Sequence, residues 1–108
     1  MKTLLFAVLS LSSIFANAES SKSIYITCGC SYYVDYLLMD EMVQGRQRNV
    51  TQQDIDNCKI ENGRVVEGCG LAKMNAQWNC QELSKKFNPD QITGSGYIHD
   101  DTCYGSIE

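Results

Sequence analysis

The chain has 108 residues, 44 % hydrophobic and 20 % charged, with six cysteines, one histidine and a formal net charge of −4. An acidic balance without a clustered basic stripe argues against nucleic acid as a partner and, more weakly, against anionic membranes. No Cys-x2-Cys knuckle, His-Glu-x-x-His or Gly-rich phosphate loop occurs, so no metal or cofactor is expected.

Residues 1–18, MKTLLFAVLSLSSIFANA, place one basic residue (Lys2) before an apolar run from Leu4 to Ala16 and end on Ala-Asn-Ala. That order is a secretory signal peptide with a small-x-small cleavage site, and the run is shorter than the ~20 apolar residues that span a bilayer. The expected product is one secreted domain, residues 19–108, either extracellular or periplasmic in a bacterial host. Without Lys2, eight basic residues face thirteen acidic ones, a net charge of −5.

Ile24 to Thr27 alternates apolar and polar residues and reads as a short strand. From Ser31 the pattern predicts a long helix to Gly45: a serine N-cap, Asp35 near the positive end of the dipole, and apolar residues at Tyr32, Tyr36, Met39 and Val43. Thr51 to Asp54 has the form of a capping box and opens a short helix to about Cys58. Asn49-Val50-Thr51 is also an N-glycosylation sequon, which matters only in a eukaryotic host, and the two roles compete for Thr51. Asn62-Gly63, between Ile60 and Val65-Val66, is the strongest hairpin signal in the chain. Gly70 to Phe87 predicts the second long helix, with Ala72, Ala76, Cys80, Leu83 and Phe87 on one face and Asn88-Pro89 ending it. The remainder, with Gly94, Gly96 and Gly105, reads as a turn-rich tail fastened by Cys103.

An even number of cysteines in a small exported chain reads as a disulfide framework of Cys28, Cys30, Cys58, Cys69, Cys80 and Cys103. A Cys58–Cys69 bridge would clip the hairpin, and needs a bulge or a helical Cys58, because strict registry pairs Cys58 with Glu67. Cys28 and Cys30 would then reach Cys80 and Cys103, one each. The expected fold is small, disulfide-rich and mainly α with a short β-hairpin (α+β): two long helices, one short helix and three disulfides.

Two resemblances bear on function. His99-Asp100-Asp101-Thr102-Cys103-Tyr104 resembles the His-Asp-x-Cys-Tyr helix motif of secreted phospholipases A2, with one extra residue and without that family's glycine-rich calcium loop. The intervals Cys30 to Cys58 and Cys58 to Cys69, 28 and 11 positions, are similar to the middle spacing of the helical, lipid-binding saposin-like proteins, although Cys80 and Cys103 stand 23 apart instead of closing as a near pair. The residues themselves lead first to a secreted, non-enzymatic interaction protein of the toxin, effector, inhibitor or signalling type. Its candidate contacts to a protein partner are Tyr25, Tyr33, Tyr97 and Tyr104, since tyrosine is enriched at binding hot spots. The alternatives are a lipid-binding or membrane-active helical protein and a small hydrolase using His99 with Asp100.

Overall fold

The computed structural model describes residues 21–108; the signal peptide expected over 1–18 lies outside them. The alternation that begins at Ile24 does not stop at the cysteines. It continues through Val34, and strand β1 (Ile24–Val34) buries Ile24, Ile26, Cys28, Cys30, Tyr32 and Val34 on one side. The chain then reverses at Asp35-Tyr36, both left-handed with φ of 50° and 66°, into β2 (Leu37–Gln47). The helix expected from Ser31 to Gly45 is therefore a β-hairpin. Neither turn residue is a glycine or asparagine, so the local signal is weak. Long-range bonds hold the turn instead, Asp35 N–H donating to the Gln91 carbonyl at 2.8 Å and Tyr36 N–H to Thr93 Oγ1 at 2.9 Å.

Helix α1 (Gln52–Asp56) has its capping box complete, with Thr51 Oγ1 accepting from Asp54 N–H and Thr51 N–H donating to Asp54 Oδ2. The Asn62-Gly63 turn, with φ of 53° and 78°, joins β3 (Cys58–Glu61) to β4 (Arg64–Gly68). A register shift between Lys59 and Ile60 pairs Lys59 with Glu67 and Cys58 with Gly68, which supplies the bulge that the Cys58–Cys69 bridge needs. Helix α2 (Gly70–Leu83) continues as a 3-10 turn over Ser84–Lys86, and a second 3-10 turn, Pro89–Gln91, leads into β5 (Ile92–Ile107).

The expected turn-rich tail is thus the longest strand. It lies in the middle of a five-stranded antiparallel sheet of order β2-β1-β5-β4-β3. Of the described residues 53 % are strand and 28 % helical, so the protein is mainly antiparallel β with one long helix, not mainly α with two. The all-helical fold that the saposin-like spacing implied is overturned with it, as is the helix of the phospholipase motif.

α2 covers one face of the sheet, and small residues let it sit close. A Cβ on Gly45 of β2 would lie 1.9 Å from the Ala72 carbonyl oxygen, and one on Gly96 of β5 would lie 2.4 Å from that of Cys80. Ala72, Ala76 and Cys80 are fully buried at this contact. Polar residues of α2 grip backbone groups of the strands: Asn75 and Asn79 donate to the carbonyls of Arg46 and Gln44, while Gln77 donates to the Gly96 carbonyl and accepts from Ile98 N–H. Cys30–Cys80 ties the helix to β1, Cys28–Cys103 joins β1 to β5, and Cys58–Cys69 clips the second hairpin. No cysteine is left as a thiol. Three disulfides fit an extracellular or otherwise oxidising compartment, and among the described residues no helix is long and apolar enough to cross a membrane.

Candidate functional site

Side chains alternate along a strand, and the β1–β2 ladder runs unbroken from Ile24 opposite Gln47 to Val34 opposite Leu37. The face away from α2 therefore collects Tyr25, Thr27, Ser31 and Tyr33 from β1 and Leu38, Asp40, Met42 and Arg46 from β2. Pairing with β5 adds Tyr97 opposite Ser31, His99 opposite Gly29 and Tyr104 opposite Thr27. Tyr25, Tyr33, Tyr97 and Tyr104 thus share one uncovered face. Tyr33, Tyr97 and Tyr104 are 37, 44 and 49 % exposed, and Leu38 and Met42 beside them 52 and 56 %. Tyr25 lies under the Arg46 guanidinium, 4.9 Å from its ring centre.

The centre of this face is polar. Ser31, 2 % exposed, has its Oγ 2.5 Å from Asp40 Oδ1 and 2.6 Å from His99 Nε2. A hydroxyl has one proton and a carboxylate only accepts, so Ser31 donates to Asp40 and accepts from His99 Nε2–H. Donation therefore runs from imidazole to serine to carboxylate. A serine nucleophile needs the opposite, with its proton going to the histidine, and it also needs access, which burial denies Ser31. The other ring nitrogen of His99, Nδ1, has no hydrogen-bond partner among the described residues. The ring edge also meets Tyr97, with centres 5.0 Å apart.

Around these groups lies an open depression of about 490 Å³, lined by Gly29, Asp40, Met42, His99 and Thr102 among others. A bulge shapes one wall. Between the pairs Gly29–His99 and Thr27–Tyr104, β5 spends three more residues than β1, pushing Asp100, Asp101 and Thr102 out of the ladder. Thr102 closes the bulge by accepting from Gly29 N–H at 2.8 Å and donating to the His99 carbonyl at 2.6 Å. Asp100 turns away to Lys73 of α2, 3.0 Å distant. The expected His99–Asp100 pairing is not formed; Asp40, reached through Ser31, is the carboxylate coupled to His99.

On the helix side, the buried Tyr32 hydroxyl donates to Glu41 Oε2 at 2.5 Å, and Lys86 Nζ reaches the same oxygen at 3.2 Å. The Tyr32 hydrogen bond, then Lys86, holds the Glu41 carboxyl below the usual carboxylate range. Burial, then Glu41, pushes the Tyr32 hydroxyl up, and Glu41 raises Lys86. This cluster fastens the end of α2 to β2 and lies on the opposite side of the sheet from His99.

Sequence reasoning missed Ser31 and Asp40: Ser31 reads as the N-cap of the helix predicted to Gly45, and Asp40 falls inside that helix. Extending the alternation of β1 past Cys30 would have placed Ser31 on the open side, but its pairing with Asp40 follows only from the hairpin.

Together the fold and this face define a disulfide-braced antiparallel sheet protein with one covering helix and an open, tyrosine-rich surface. No family model, curated protein or solved structure matches the chain.

Proposed function

We propose that this is a secreted, non-enzymatic binding protein that engages another protein through the open face of its sheet. The observation that carries the reading is the gathering of four tyrosines with Leu38 and Met42 on the same sheet face as the Asp40–Ser31–His99 depression. Tyrosine supplies large contact area at low entropic cost and a hydroxyl for hydrogen bonding. Rigid strands present it, braced by disulfides that leave a small chain free to devote surface to contact. Asp40 and the free nitrogen of His99 add polar groups at the centre, where orientation is fixed.

The test is capture from the extracellular fluid of the source, with immobilised wild type compared with Tyr33→Ala/Tyr97→Ala/Tyr104→Ala. These side chains are 37–49 % exposed, and circular dichroism of the variant checks that its fold is kept before its binding is compared. A partner held by wild type and lost by the variant supports the reading; equal retention by both contradicts it.

A second reading, contact with lipid, rests on α2, where Leu71, Met74 and Trp78 are exposed at 53, 58 and 63 % along one helix side. A blue shift of Trp78 fluorescence on adding vesicles would favour it. No change at any lipid concentration removes it.

A further inference from the structure

We infer that, in a eukaryotic secretory cell, Asn49 is the acceptor of an N-linked glycan. Asn49-Val50-Thr51 has the triplet that the transfer requires, with valine between. The fold holds the acceptor outward. Asn49 stands between β2 and α1, exposed, with φ of 50°, a left-handed conformation that asparagine adopts more readily than most residues. Its neighbour Val50 is fully buried and donates its N–H to the Lys22 carbonyl at 3.1 Å, anchoring the corner on which Asn49 projects. Among the described residues no hydrogen bond engages the Asn49 side chain. Bulk on its Nδ2 therefore displaces nothing.

The two roles of Thr51 do not compete, because they fall at different times. Transfer occurs on the extended chain, before the hydroxyl accepts from Asp54 N–H as a cap. The co-reactant is an oligosaccharide linked to a lipid pyrophosphate. A bond forms from Asn49 Nδ2 to C1 of the first sugar, the C1–O bond to the pyrophosphate breaks, and the pyrophosphate leaves with the electron pair. One amide proton passes to a base of the transferase.

The position also lies away from the Asp40–Ser31–His99 depression. Asn49 follows Gln47, which pairs with Ile24 at the end of the sheet where Ser23 and Glu108 meet. Asp40 lies seven positions before Gln47 on the same strand, about 23 Å at ~3.3 Å per residue.

The test is expression of the full chain in cultured eukaryotic secretory cells, as wild type and as Asn49→Gly. Glycine accepts the same φ without strain, so this variant keeps the turn and removes the acceptor. Wild type should be heavier than the variant by an oligosaccharide, and N-glycanase should remove that mass and convert residue 49 to aspartate. Thr51→Ser should keep the glycan. Wild type recovered, from medium or from cells, at the mass of the bare polypeptide overturns the inference.

Discussion

Replacing Gly96 by alanine should destabilise the protein, and the sign is diagnostic. A glycine in a mobile, turn-rich tail would gain about 0.4–1 kcal/mol from the same change, by restricting the unfolded chain. In β5, however, the new Cβ would stand 2.4 Å from the Cys80 carbonyl oxygen and 3.1 Å from Cys80 Sγ, where ordinary contact begins at 3.4 Å. The obstacle is helix backbone held by the Cys30–Cys80 bond, not the end of a flexible side chain. Relief needs α2 to lift by about 1 Å, and a gap of that size forfeits roughly a quarter to a half of each dispersion contact beneath it. Overpacking of this kind costs about 1–3 kcal/mol. Gly45→Ala should cost more, since its Cβ would meet the Ala72 carbonyl oxygen at 1.9 Å. Urea unfolding of the oxidised protein reads the effect: a loss of about 2 kcal/mol lowers the midpoint by roughly 1–2 M at an m of about 1–2 kcal/mol/M. A Gly96→Ala midpoint equal to or above wild type would refute the close packing of α2 on the sheet.

Paired Cys→Ala replacements should rank with loop length: sequence separations of 75, 50 and 11 give about 4.5, 4.1 and 2.8 kcal/mol for Cys28–Cys103, Cys30–Cys80 and Cys58–Cys69, and calorimetry checks the order. Acid should weaken the cluster at Glu41. Its folded carboxyl titrates below the ordinary 4.5, so its contribution is complete above that value and is lost as pH falls through the lower folded one. Glu41→Gln should therefore flatten the fall in melting temperature below that pH, and Tyr32→Phe should do so in part while costing about 1 kcal/mol for the lost hydrogen bond. On β2, an outer strand of the sheet, the ladder leaves the N–H groups of Leu38, Asp40 and Met42 facing outward. Hydrogen exchange at those three should be much faster than at Met39, Glu41 and Val43, and equal rates would contradict the register.

What was legible in the sequence was local. The Thr51 capping box, the Asn62-Gly63 turn and the 3.6-residue spacing of Ala72, Ala76 and Cys80 each carry their structure within a few residues, and each element formed where the pattern put it. The first hairpin and β5 depend on distant partners. The Asp35-Tyr36 turn is pinned by Gln91 and Thr93, more than fifty positions away, and β2 has exposed Leu38 and Met42 on one side with Met39 and Val43 on the other, which removes the period-2 contrast that marks a strand. In β5 the glycines read as turns because their reason, the approach of Tyr33 to Gly94 and of α2 to Gly96, is tertiary. The candidate site inherits this division. His99 and the four tyrosines stand out by residue type, whereas Ser31 and Asp40 join them only through the pairing of β1 with β2.

Met42 and Met74 offer the most direct test of the binding face, being 56 and 58 % exposed on opposite sides of the molecule. A photo-reactive residue at each position in turn, irradiated in the source's extracellular fluid, reports which side a partner touches. The open-face account predicts a protein adduct from position 42 and none from position 74. An adduct from position 74 alone would contradict it.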